Sequence, residues 1–102
     1  MLIFVMPLVV WSAETAAQIV IVEIKGFKFV PQEITIKAGT TVQWINKEKR
    51  GYHNAWFEAL GEPEPEYLFP DETFDKKFSA AGDYPYRCGP HPEMTGIVHV
   101  TP

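Results

Sequence analysis

The sequence predicts an all-β fold, a Greek-key antiparallel β-sandwich of about eight strands. Three observations predict it. Apolar and polar residues alternate with a period of two in short runs. Turn residues interrupt those runs roughly every eight to twelve positions. No stretch holds an apolar period of about 3.6 for long enough to form a helix. With 102 residues the chain has room for one compact domain.

The elements follow in order. IVIVEI (19–24) is a continuous β-branched run that Lys25-Gly26 breaks. GFKFVP (26–31) alternates Phe27 and Phe29 about Lys28 and stops at Pro31. EITIKAGT (33–40) alternates Ile34 and Ile36 with Thr35 and Lys37 before a turn at Ala38-Gly39. TVQWIN (41–46) puts Val42, Trp44 and Asn46 on one side. HNAWFEAL (53–60) reads as a strand that His53 opens. GEPEPE (61–66) is a solvated loop, because two prolines prevent regular pairing. ETFDKKF (72–78) spaces Phe74 and Phe78 among polar residues. AGDYPYRC (81–88) starts from a turn at Gly82. TGIVHV (95–100) carries Val98 and Val100 on one face, Ile97 and His99 on the other. Aromatic side chains supply much of the core, each burying about 150–250 Å². Tyr86, two residues before Cys88, is either a tyrosine corner or an ordinary half-buried strand tyrosine.

Residues 1–17 stand apart. MLIFVMPLVVW is almost wholly apolar, and small residues such as Ala13, Ala16 and Ala17 follow. The run is too short to span a bilayer and reads as an export leader, although no Lys or Arg precedes it. The domain is therefore expected over 18–102, without stable membrane insertion. The net charge of −4 argues against nucleic acid as a partner, since phosphate binding needs a basic surface. A single cysteine excludes an internal disulfide. In an exported protein a leftover thiol is paired, reactive or bound.

That thiol lies in YRCGPHPEM (86–94), which sets Cys88, His91 and Met94 at regular three-residue steps. Soft thiolate and thioether ligands select copper, imidazole suits copper or zinc, and methionine is a poor zinc ligand. A fourth ligand has to come from His53 or His99. His99 sits on a strand leading away from the loop and reads as a surface residue, so His53 is the better candidate. Two histidines, one cysteine and a weak methionine are the trigonal donor set of a blue-copper site. Each residue alone has a blander reading, as core filler or loop residue. Together at this spacing they point to metal.

The resemblance rests on ITIKAGTTVQWIN, on His53-Asn54, on LFPDETF and on AGDYPYRCGPHPEMTGIVHV. The chain resembles a cupredoxin of the plastocyanin, pseudoazurin and amicyanin group over about residues 19–101. Its ligand-loop spacing is similar to that of amicyanin. The resemblance implies one type 1 copper held by His53, Cys88, His91 and Met94. It also implies that Asn54 ties the first ligand strand to the cysteine loop. It implies an outer-sphere electron shuttle of the periplasm, a monomer, serving redox proteins such as a c-type cytochrome or a dehydrogenase or oxidase. The edge of His91 would be ringed by Pro90, Pro92 and either Tyr52 or Trp56. In some relatives with this short loop the loop histidine leaves Cu(I) on protonation, and His91 is the residue in that position. Glu58, Glu62, Glu64 and Glu66 are either a steering rim or merely a solvated loop. The basic stretch Lys47, Lys49, Arg50 and the segment WFEALGEPEPEYLFP depart from the family pattern. The alternative function is copper binding or delivery in the periplasm on the same fold. An enzyme is not expected: multicopper oxidases and copper nitrite reductases need more than the three histidines present.

Overall fold

The computed structural model describes residues 18–102, so the leader expected at 1–17 lies outside the described residues. Seven strands form two sheets. They are β1 (Ile19–Lys25), β2 (Lys28–Val30), β3 (Glu33–Lys37), β4 (Thr40–Asn46), β5 (Thr73–Phe78), β6 (Gly82–Arg87) and β7 (Thr95–Thr101). One sheet has the order β2-β1-β4-β5, the other β3-β7-β6. The chain crosses between them after β2, β3 and β5, which makes the sandwich.

Two details differ from the sequence reading. The sheets are mixed: β1 with β2, β4 with β5 and β6 with β7 are antiparallel, but β1 runs parallel to β4 and β3 to β7. Period-two alternation is blind to strand direction, so the pattern alone could not separate the two. The second difference is the segment from His53, expected as an eighth strand. It forms only two isolated bridges, His53 with Leu68 and Trp56 with Arg87, and then a 3₁₀ turn at Glu58–Leu60. The prolines at 63 and 65 deny it a continuous neighbour.

The inward rows of the strands meet as predicted. β4 buries Thr40, Val42, Trp44 and Asn46. Beside them in the same sheet are Val22, Ile24, Phe29 and Phe78, and from the opposite sheet and the connecting loop come Tyr86, Val98, Val100 and Phe57. Each such aliphatic or phenyl group contributes about 1.5–3 kcal/mol on burial. Tyr86 is central. Its ring meets Phe29 at 4.7 Å, Phe57 at 5.1 Å and Trp44 at 5.3 Å between centroids. Burial pushes its phenol pKa up to about 12. It lies across its register partner Gly96, where an added Cβ would come within 2.3 Å of the ring. The tyrosine-corner bond belongs to Tyr84 instead, whose hydroxyl donates to the carbonyl of Ala80 at 2.7 Å.

Candidate metal centre

The site is built from the ends of the strands. Asn46 ends β4 fully buried, and its side chain replaces the ladder that stops there. Its Nδ2 donates to the carbonyls of Leu68 at 2.8 Å and Gly51 at 3.2 Å, and its Oδ1 accepts from the Glu48 N–H at 2.9 Å. These bonds shape the 47–52 loop and hold Leu68 beside it. His53 then pairs with Leu68 in both directions, N to O at 3.1 and 2.7 Å. Three residues on, Trp56 pairs with Arg87 at 2.7 and 3.0 Å. Arg87 precedes Cys88, so the second bridge brings the cysteine to the histidine.

The ligand loop closes on itself. Cys88 N–H donates to Met94 O, and Met94 N–H to His91 O, each at 2.9 Å. Asn54 fastens that loop from outside: its Oδ1 accepts from Gly89 N–H at 2.7 Å, and its Nδ2 donates to Glu64 at 3.2 Å and to the Pro65 carbonyl at 3.1 Å. A Cβ at Gly89 would meet the Glu64 carboxylate, so a larger residue there would displace Glu64 from Asn54.

Three donor atoms converge. His53 Nδ1 and His91 Nδ1 are 3.1 Å apart, and each is 3.6 Å from Cys88 Sγ. Metal–nitrogen bonds of about 2.05 Å would meet at about 100° across such a gap, and a metal–sulfur bond of about 2.3 Å closes the triangle. Three lone-pair atoms packed this closely repel one another unless a cation or proton lies between them. His53 and Cys88 are fully buried and His91 is half-buried. Burial, then the neighbouring His91, hold the His53 pKa below its usual value, against the pull of Glu48. A neutral imidazole is the form that binds metal. Burial also pushes the Cys88 thiol up, opposed by the backbone N–H groups of Asn54 and His91. The geometry thus fits a soft cation that displaces the thiol proton. Met94 lies buried at the end of the loop.

His99 is remote from this cluster. It stands on the outer face of β7, with Nδ1 2.6 Å from Asp83 and Nε2 2.5 Å from Glu33. It is a strand-bridging residue, in keeping with its surface reading.

The copper-binding family model for plastocyanin/azurin proteins matches residues 16–101. The chain belongs to this family. The cupredoxin is 38% identical over 92 residues to amicyanin from Paracoccus versutus, covering 87% of this chain and 70% of that one. It is 40% identical over 83 residues to amicyanin-alpha from Methylorubrum extorquens, covering 78% and 69%. The crystal structure of Paracoccus versutus amicyanin superposes with a TM-score of 0.73 at 38% identity, over 87% of each chain. Among the described residues the cupredoxin therefore carries one candidate copper site, of His53, Cys88 and His91, consistent with a type 1 electron-transfer centre.

Two residues beside the site escaped the sequence reading. Glu48 sits inside the basic stretch, yet its carboxylate turns inward. It lies 3.3 Å from His53 Nε2, an ion-pair distance at a poor hydrogen-bond angle, and accepts the Phe27 N–H at 2.7 Å. Phe27 was expected on a strand and instead occupies the β1–β2 turn with φ of 56°. Its ring meets His53 at 5.2 Å and His91 at 5.1 Å, edge-on to both. The signal available was Gly26, which marks a turn and so puts Phe27 in it. Trp56, one of the two aromatics expected around His91, is engaged with Arg87 and Glu62. Its ring lies 4.6 Å from the Arg87 guanidinium, and its Nε1 donates to Glu62 O at 2.9 Å. Tyr52 is exposed beside the site and stacks on Tyr67 at 4.9 Å and Phe69 at 5.7 Å. The acidic loop is largely engaged within the molecule: Glu58 pairs with Arg87, Glu62 with Lys76, and Glu64 with Asn54.

Proposed function

We propose that this cupredoxin carries single electrons between redox proteins, with His53, Cys88, His91 and Met94 as the residues that would hold the copper. The observation that carries the reading is the triangle of Sγ and two Nδ1 atoms, with Cys88 and His53 fully buried and His91 half-buried. Copper supplies a one-electron Cu(II)/Cu(I) couple when bound. The residues around it do the rest. Cys88 gives a thiolate in a site closed to water by Phe27 and the ligand loop. His53 is fixed to the sandwich by the Leu68 bridge, and Asn54 holds Gly89, so neither side of the triangle has to move between redox states. His91 is the one donor with an edge toward the surface, among Pro90, Pro92, Phe27 and Tyr52.

A small apolar surface at a redox edge suits brief docking, since weak redox encounters use small interfaces. A c-type cytochrome, a dehydrogenase or an oxidase fits as partner, and the role is that of a carrier rather than an enzyme. Residues 1–17 fit a leader for export to the periplasm, with residues 18–102 as a monomeric domain; among the described residues no helix is long and apolar enough to cross a membrane. A delivery protein would need an open site, and this one is enclosed.

The test is Cu(II) titration of the purified apo-protein, followed in the visible spectrum. A strong cysteine-to-copper charge-transfer band, lost in Cys88→Ser, is expected. A colourless complex would overturn the reading.

A further inference from the structure

The docking face has a sign, and it is opposite to the sign of the whole protein. The chain carries nine Lys and Arg residues and a net charge of −4. Five of the nine lie on two adjoining loops at the copper end. Lys25 and Lys28 flank the β1–β2 turn, and Lys47, Lys49 and Arg50 fill the loop after β4. The loops are joined by two bonds, Lys47 N–H to Ile24 O at 2.8 Å and Phe27 N–H to Glu48 at 2.7 Å. All five basic residues are exposed. None has an ion-pair partner among the described residues, whereas Lys76 and Arg87 both do. The acid within the cluster, Glu48, is turned toward His53 with its side chain only 13% exposed.

At the centre of this basic ring stands Phe27. It is 52% exposed, and its backbone is left-handed, a conformation that costs an L-residue about 1–2 kcal/mol. That cost goes with an exposed apolar ring resting on both ligand imidazoles. Strain of this kind tends to sit at functional positions. On the neighbouring loop Tyr52 is exposed as well, stacked on Tyr67 and Phe69.

We propose that Phe27 and the surrounding Lys25, Lys28, Lys47, Lys49 and Arg50 form the docking surface for a redox protein with an acidic rim around its own cofactor edge. The inference rests on the electron-carrier reading and names the chemistry of the partner. Like charges juxtaposed on docking disfavour the wrong partner, and opposite ones speed encounter. A protein of net charge −4 repels acidic partners on average, so attraction has to come from a local cluster. Of the acids nearest the ligand loop, Glu62 is paired with Lys76 and Glu64 is bonded to Asn54, while the exposed Glu66 and Glu93 are outnumbered by the five basic residues.

The test uses cytochrome b5 as an acidic protein probe and a basic cytochrome c as its counterpart. The ¹⁵N-labelled apo-protein, titrated with each at low ionic strength, is read by amide shift changes. Cytochrome b5 is expected to shift residues 25–28 and 47–52 in a salt-sensitive way. Lys28→Gln with Lys49→Gln and Arg50→Gln should weaken that binding by about 10-fold. Lys37→Gln with Lys77→Gln, at the far end of the sandwich, should leave it nearly unchanged. Preference for the basic cytochrome, shifts mapped to residues 58–66, or equal weakening by the two charge sets would each overturn the proposal. So would binding of anionic lipid vesicles through these residues without any binding of cytochrome b5. The readout needs no copper. Failure of the blue band would sink the carrier reading, and failure of the shift pattern would sink only this surface.

Discussion

At the residue scale the least obvious participant is Glu48. His53 presents Nδ1 to the donor triangle, which leaves Nε2 on the side of the Glu48 carboxylate, 3.3 Å away but out of line for a hydrogen bond. A carboxylate behind a ligating histidine fixes the ring and raises its basicity. The same oxygen accepts the Phe27 N–H, so one half-buried side chain lies against both a ligand and the ring that covers it. Glu48→Gln keeps the shape and removes the charge. It is expected to lower copper affinity by about 10-fold, measured by competition with a chelator of known affinity. Unchanged affinity would reduce Glu48 to a turn residue.

The elements contribute by where they end. β4 stops at Asn46, β6 stops at Arg87, and the two isolated bridges between those points carry His53 to Cys88. On the outer face of the other sheet, His99 of β7 joins Glu33 of β3 to Asp83 of β6. Asp83 first, then Glu33, raise the His99 pKa above its usual value. A raised histidine pKa stabilises the fold fully below about pH 6.5, and the contribution fades as pH rises through the folded value. Urea unfolding at about pH 5.5 and about pH 9 should therefore show a loss of stability toward high pH that His99→Gln reduces. An unaltered slope in the variant would show that the cluster is electrostatically idle. The pair is exposed, so the effect is expected to be small.

For the whole molecule the donor triangle is a clasp between the two sheets. His53 is tied through Leu68 and Asn46 to the end of β4, and Cys88, His91 and Met94 belong to the β6–β7 connection. An ion held by both sides binds the folded state and not the unfolded chain. Free copper at a thousand times its dissociation constant is thus worth about 4 kcal/mol of stability. Thermal unfolding should shift upward on copper loading and barely move in Cys88→Ser. Equal shifts in both proteins would place the ion elsewhere.

The sequence by itself determined the sandwich and pointed to the three donors, His53, Cys88 and His91, that converge in it, largely through local signals. Alternation along a strand marks its buried face whatever it pairs with, and three soft donors at regular steps are visible in nine letters. His53 was reached by elimination among three histidines. Only the tertiary structure decided which strands run parallel, and that the segment after His53 is bridged rather than laddered. It alone brought in Asn46, Glu48 and Phe27, whose roles depend on neighbours twenty or so residues away. Glu48 looks like one acid in a basic run, and Phe27 like one more strand aromatic. Chain reversal at Gly26 and the end of β4 turn both toward the same imidazole. Contact across the sequence, which no local pattern encodes, makes them part of the site.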